Sequence, residues 1–590
     1  MKPKKTYLLL LFSILALESN AQDLKWWNPA EHEFPVIEGQ AWGVEVKRPY
    51  QRLPKKAENV VPSSVWSNGT NSAGLVIRFR SSSPNIHIRY TTFDPNGRAL
   101  NHMPATGVSG VDLYTISSDG EEFWCAARRS FGDTILYKYD GLRPNDRYHE
   151  FGREYRLYLP LYNEVKDLEI GVGQDTYFEA LPIRMEKPIV VYGTSIAHGA
   201  CASRPGMAWT NILGRKMDRP LINLGFSGSG RLDELVIDLL TEIEAKVFVL
   251  DCLPNLVGSQ YTTDILSKKI SFAVKKLKAK RPDTPILLVA HAGYTDGFTA
   301  PKRAESYQRV NNVQETVFKE LVDEGITGLH YLSKEGIGLN LDAMVDGTHP
   351  TDLGMQQYAD AYETSLRRIL KEPAGDVSTQ KPITQFREPG NYDWEKRHRE
   401  IMHLNKTSPP KAIILANSII HFWGGEPKAK IAREQESWEA YFKPAGLRNL
   451  AYGWDRIENV LWRVFHGELD GFEVDKVLMM IGSNNFHLNT NEEIIEGLHQ
   501  LSVAITERQP KAELTLMGIL PRRKEEERVI TLNRGISQLA AALNLPYKDL
   551  GAVFLEQNGK IDETLFSDGL HPNAEGYLKL RPGIQSILKD

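Results

Sequence analysis

The phrase DGTHPTDLG, from Asp346 to Gly354, returns as DGLHPNAEG, from Asp568 to Gly576, 222 residues further on. Each copy stands at a fixed distance from a serine that ends an apolar run: PIVVYGTS places Ser195 there, and KAIILANS places Ser418. Ser195 to Asp346 is 151 positions and Ser418 to Asp568 is 150; Ser195 to His349 is 154 and Ser418 to His571 is 153. A lone serine after a strand is usually a turn or helix cap, and a lone Asp before Gly-Thr-His-Pro is usually a turn former. The joint recurrence outweighs both readings and requires one kind of unit to be folded twice.

The texture of the chain agrees. From Pro188, buried-strand runs (PIVVYG, AKVFVLD, TPILLVA) alternate with helical patterns such as DELVIDLLTEIE and ISFAVKKLKAK. Strands alternating with helices imply an α/β unit, a parallel sheet covered on both faces. The unit closes near Leu370 on the amphipathic GMQQYADAYETSLRRIL, and a Pro- and Gly-rich stretch followed by DWEKRHREIMHLNK leads on to Lys411. There the α/β pattern resumes with KAIILANS, DKVLMMIGSNN and AELTLMGIL. Upstream, AGLVIRFRS, NIHIRYTTF, GVDLYTI, EEFWCAAR and REYRLYLPLY alternate apolar and polar residues between turn formers. They predict a β-sandwich of jelly-roll type. The expected order is a sandwich over 22–185, an α/β unit over 186–372, a linker with a helix over 373–410 and a second α/β unit over 411–590.

Residues 1–21 read as an export signal. MKPKK is basic, TYLLLLFSILAL is too short for a comfortable membrane span, and ESNAQ offers small residues for cleavage before Gln22. The mature chain is expected to be exported, periplasmic or secreted, without stable membrane insertion. A net charge of −4 over 590 residues, with 25% charged, gives no basic footprint for nucleic acid. Cys125, Cys201 and Cys252 are too few for a disulfide framework and are expected as buried thiols; a Cys201–Cys252 pair stays open.

The repeated residues suit acyl transfer. A serine hydroxyl becomes a nucleophile when a histidine takes its proton, and an acid on the other ring nitrogen fixes the tautomer. Asp346 with His349, and Asp568 with His571, deliver base and orienter on one loop. Strand-end loops of a parallel sheet gather at its carboxyl edge, where Ser195 and Ser418 stand. Donors for an oxyanion are offered by Gly228 in NLGFSGSG and Asn255 in LDCLPN, and by Asn484 in IGSNN. His198 and His421, three residues after each serine, read as first-turn helix residues near the pocket mouth rather than as metal ligands or a second base, and RRKEEER at 522–528 as a solvated face or loop.

These motifs resemble the SGNH (GDSL-type) hydrolases, whose landmarks are a Ser block, a Gly, an Asn and Asp-x-x-His in that order. Both α/β units keep the order. The second is similar to the platelet-activating-factor acetylhydrolase branch through NLAYGWDRIENVLWRV and IGSNN, and GVDLY resembles an N-terminal β-domain found ahead of bacterial SGNH esterases. The resemblance implies flavodoxin-like three-layer α/β/α domains and no metal or cofactor. It also implies catalysis by Ser195, Asp346 and His349 and by Ser418, Asp568 and His571, with oxyanion donors at Gly228, Asn255, Asn484 and Trp454. Unit one reads GTS and unit two ANS where the family has GDS, and Trp454 replaces the oxyanion glycine, so unit two is expected to be slow, specialised or a binding remnant. The function expected is an exported serine esterase removing acetyl groups from an oligo- or polysaccharide. The alternatives are a lipid esterase, or a glycan-binding protein with inert units.

Overall fold

The computed structural model describes residues 23–146, 148 and 151–589; the export-signal reading lies outside them. Among the described residues no helix is long and apolar enough to cross a membrane.

The N-terminal body is two antiparallel sheets. One runs in the order Leu24–Trp27, Val165–Gly173, Asn85–Thr92, Ile135–Asp140, Arg128–Phe131; the other in the order Phe178–Ala180, Val76–Ser81, Arg153–Tyr158, Asp112–Ile116, Glu122–Cys125. In Asn85–Thr92 the alternation is complete, with Ile86, Ile88 and Tyr90 facing the core. Strand Val76–Ser81 alternates too, yet all six residues are buried. Ile77 and Phe79 enter the sandwich core, whereas Arg78 and Arg80 face outward. Arg78 pairs with Glu395 at 2.8 Å and Arg80 with Asp393 at 3.0 Å, so their face is covered by the start of helix Trp394–Thr407. That helix, part of the linker stretch, buries Trp394 and Ile401 in the second α/β core. Similarly Trp42, Leu53, Ala57, Val61 and Val65 pack on the first α/β unit rather than inside the sandwich.

Both α/β units have five parallel strands in the order 2-1-3-4-5. In the first, Ile189–Gly193 lies between Leu221–Gly225 and Val247–Asp251; in the second, Ala412–Ala416 lies between Leu447–Ala451 and Lys476–Met480. The strand order reverses at this first strand, and the crevice beyond its carboxyl end is where such sheets place ligands. All three cysteines are buried and free.

Candidate active site

Ser195 and Ser418 each follow their first strand by two residues and open a short helix, Ser195–His198 and Ser418–His421. The preceding residue caps it: Thr194 Oγ1 accepts from Ile196 N, and Asn417 Oδ1 accepts from Ile419 N. The hydroxyl is thereby held at the sheet's carboxyl edge, and the two serines are 8% and 6% exposed.

The DGxHP loops arrive from the far end of each unit. The turn needs a left-handed residue after the aspartate, which Gly347 (φ 76°) and Gly569 (φ 81°) supply. Asp346 Oδ1 accepts from the backbone N–H of Thr348 (3.0 Å) and of His349 (2.8 Å), while Oδ2 lies 2.8 Å from His349 Nδ1. His349 Nε2 is 2.9 Å from Ser195 Oγ. The second loop repeats this: Asp568 Oδ1 takes Leu570 N and His571 N, Oδ2 lies 2.7 Å from His571 Nδ1, and Nε2 is 2.9 Å from Ser418 Oγ. A carboxylate on Nδ1 places that ring proton there and leaves Nε2 free to accept from serine. Despite some burial, the histidine and the backbone donors hold the Asp346 carboxyl down at about 2, and Asp568 is lowered likewise.

The oxyanion candidates sit beside each serine's strand. Gly228 and Trp454 both lie three residues beyond the last residue of the second strand, and both are left-handed, φ 67° and 60°. Unit two therefore keeps the backbone turn without the glycine. The Trp454 ring is turned outward, 36% exposed, with its centroid 6.1 Å from that of Tyr148 of the sandwich. With its amide oriented so that Oδ1 accepts from Ser229 N and Gly230 N at 3.1 Å, Asn255 directs its N–H bonds the opposite way. Asn484 spends one N–H on the carbonyl of Asp455 at 3.0 Å, tying it to the Trp454 turn.

His198 and His421 are not at the pocket mouth. They are buried, and burial with a neighbouring arginine keeps both rings neutral. Tyr162 of the sandwich stacks on His198 at 4.2 Å, and its hydroxyl lies 3.4 Å from the Ser195 carbonyl. Buried Arg52 donates to the carbonyls of Asn223 (2.8 Å) and Gly225 (3.0 Å), fixing the strand end that leads to Gly228. His102 comes within 5.7 Å, ring to ring, of His349. None of the three has a local sequence signal, because each acts from a body more than 30 residues away in the chain. Ligand atoms of His102, Cys201 and His349 lie within 4.8 Å of one another, a set able to hold an ion, but both ring nitrogens of His349 are already engaged. The RRKEEER run begins as a loop, with Arg523 and Lys524 exposed, but Arg522 and Arg528 turn inward on Phe486.

Each unit thus holds a serine, a histidine and an aspartate hydrogen-bonded in series at the switch point of a doubly wound sheet, the arrangement that a serine hydrolase site requires. Two models of the GDSL-like lipase/acylhydrolase family match residues 186–367 and 417–579, and a model of the N-terminus of SGNH-hydrolase-type esterases matches 24–178. A solved structure from Bacteroides ovatus, described as a GDSL-like lipase, is 30% identical and matches 59% of this chain and 98% of its own, with a TM-score of 0.53. The rat and human platelet-activating factor acetylhydrolase IB alpha2 subunits are each 26% identical over 204 residues, 34% of this chain and 85% of theirs. The chain belongs to the GDSL-like (SGNH) hydrolase family and is a carboxylic ester hydrolase.

Burial lowers His571 below its ordinary value of 6.5; Asp568 works against this, while Arg433 and Arg522 add to it. A general base must be neutral, so a lowered value extends activity toward acid. The acid limb of kcat/KM for the second site, measured on Ser195→Ala with a small neutral aryl acetate, is expected below pH 6.5. A limb above that value would show that Asp568 outweighs burial.

Proposed function

We propose that the chain is an exported esterase that removes acetyl groups from carbohydrate, with both units competent. Ser195 attacks the ester carbonyl as His349 Nε2 takes its proton. The tetrahedral oxyanion is met by the N–H groups of Ser195, Gly228 and Asn255 Nδ2. His349 then protonates the departing sugar oxygen, and a water deprotonated by the same nitrogen clears the acetyl-enzyme. Asp346 stays ionised throughout and holds the imidazolium. Ser418, His571 and Asp568 follow the same course, with Trp454 N–H and Asn484 as donors.

The observation that carries the carbohydrate reading is the openness of the triads. Side chains of Asp346 and Asp568 are 41% and 49% exposed, and those of His349 and His571 are 21% and 17% exposed. A bulky hydrated leaving group can meet such a rim without threading a tunnel. His102, which is exposed, has its ring 5.7 Å from that of His349, and Phe298, 99% exposed, lies in the loop that leads into helix Pro301–Asp323, whose first turn carries Arg303. Arg303 bonds Thr348 Oγ1 at 3.0 Å, which ties that loop to the catalytic one. A free aromatic face beside a catalytic loop suits a sugar ring.

The test is acetate release from acetylated polysaccharides by the wild type, Ser195→Ala and Ser418→Ala. Loss of a different share of release in each variant is expected. No release by the wild type, with turnover of a short-chain acetylated lipid, would replace carbohydrate by lipid ester.

A further inference from the structure

The two sites differ in charge as well as in their oxyanion turn. Leu250 pairs with Leu288 in the first sheet and Met479 with Leu516 in the second. Six residues beyond the latter member of each pair stand Tyr294 and Arg522. At the first site the guanidinium of Arg303 lies over the Tyr294 ring at 3.9 Å and is neutralised by Asp296 at 3.0 Å. At the second, Arg522 Nη1 donates at 3.0 Å to the carbonyl of Ser483, the residue before Asn484. A second guanidinium, Arg433, lies 5.3 Å over Phe422, whose ring is 5.3 Å from that of His571. Arg433 Nη1 is buried and meets no carboxylate, with the Tyr577 hydroxyl beside the guanidinium.

Neither Arg433 nor Arg522 has a carboxylate at ion-pair distance among the described residues. Other arginines nearby are neutralised: Arg387 and Arg456 share Asp119 of the sandwich at 2.6 and 3.3 Å, and Arg523 pairs with Glu563 at 2.7 Å. The acid that faces Arg433 is Glu388, which burial pushes toward its neutral form. Arg433 approaches His571 through Phe422 and Arg522 approaches the Asn484 turn through Ser483, so both guanidiniums border the second site; Glu525 faces Arg522 without reaching ion-pair distance. Leaving a partly buried guanidinium unpaired is costly, and a planar carboxylate is its natural complement.

We propose that the second site selects esters whose leaving group carries a carboxylate beside the scissile bond, held by Arg433 and Arg522, while the first site takes neutral esters. In the carbohydrate reading above, on which the sugar part of this inference rests, the substrate class is an acetylated uronate-bearing saccharide. The acyl-transfer step is unchanged: the carboxylate is bound and takes no part in bond making.

The test uses the full chain carrying Ser195→Ala, so that Ser418 alone turns over. Two aryl acetates, 3-acetoxybenzoate and its methyl ester, carry the same scissile bond with and without a neighbouring carboxylate, and each rate is divided by its spontaneous hydrolysis rate to remove the difference in leaving group. The ratio of kcat/KM, charged over neutral, is expected to exceed 10-fold at low salt and to fall as salt rises, since one charge-assisted contact is worth on the order of 10-fold or more. Arg433→Gln and Arg522→Gln should each lower the ratio, and the double variant should bring it close to one. A ratio near one in the parent, a ratio that survives both substitutions, or no turnover of either ester overturns the proposal. Acetylated oligogalacturonides and acetylated cello-oligosaccharides are assayed alongside. Charge preference on the aryl pair with neither oligosaccharide deacetylated sinks the carbohydrate reading and leaves the charge selection standing. Equal deacetylation of both oligosaccharides, with equal aryl rates, does the reverse.

Discussion

Replacing Ser195 by alanine in a Ser418→Ala background is expected to lower kcat toward a small acetyl ester by roughly 10⁴–10⁶-fold, with KM changed only a few-fold. The size follows from the geometry. His349 and Asp346 are poised at 2.9 and 2.8 Å, but without Oγ they have no nucleophile to activate. The oxyanion donors and the cleft remain, so binding survives and the residual rate is the one they give to water. The reciprocal variant, with Ser195 intact and Ser418 replaced, isolates the first site and should retain most activity on neutral esters. A loss below tenfold for the double variant would put the nucleophile elsewhere.

The second large effect is on stability. Arg463 is fully buried between Asp455 and Glu468, which are buried as completely; it lies 2.9 Å from Asp455, pairs also with Glu468, and stacks over Tyr452 at 3.8 Å. The acids are further tied in: Asp455 accepts from Trp394 Nε1 at 2.8 Å, and Glu468 accepts from Tyr452 OH at 3.0 Å and lies 2.9 Å from His398 Nδ1. Arg463→Met fills the volume but leaves two carboxylates unpaired in the interior. Removing one partner from such a group costs about 3–5 kcal/mol, more than the intact pair contributes. The measurement is urea unfolding of the full chain followed by a probe of the second unit. Asp455 follows Trp454, so activity at Ser418 should fall together with stability, while activity at Ser195 persists. A change under 1 kcal/mol would mean that the acids are neutral or that water reaches them.

What the sequence made legible, and what it hid, divides along the range of the interactions. The Ser–His–Asp contacts of both units were legible because each Asp-x-x-His pair sits on one short loop and strand ends converge in any parallel sheet. The strand VIRFRS was legible as β through its alternation, but not the fate of Arg78 and Arg80. A period of two says which face a residue takes, not what covers that face, and the cover here is a helix some 315 positions away. The same holds for Arg52 and Tyr162, which support the Ser195 loop from outside its unit. Trp454 was legible as a departure but not in its consequence: its left-handed backbone is preserved because the surrounding turn, anchored by Asp455 and Asn484, overrides the preference for glycine. RRKEEER was legible as a loop at its start, but not in the inward turn of Arg522, which its bond to Ser483 sets.

Whether Ser195 and Ser418 are both reactive nucleophiles is read from the number of adducts formed with a fluorophosphonate, by intact mass on the full chain. Two adducts are expected on the wild type, one on Ser195→Ala, one on Ser418→Ala and none on the double variant. A single adduct on the wild type that vanishes with Ser195→Ala would contradict the account, leaving Ser418, His571 and Asp568 as a catalytic geometry without a reactive nucleophile.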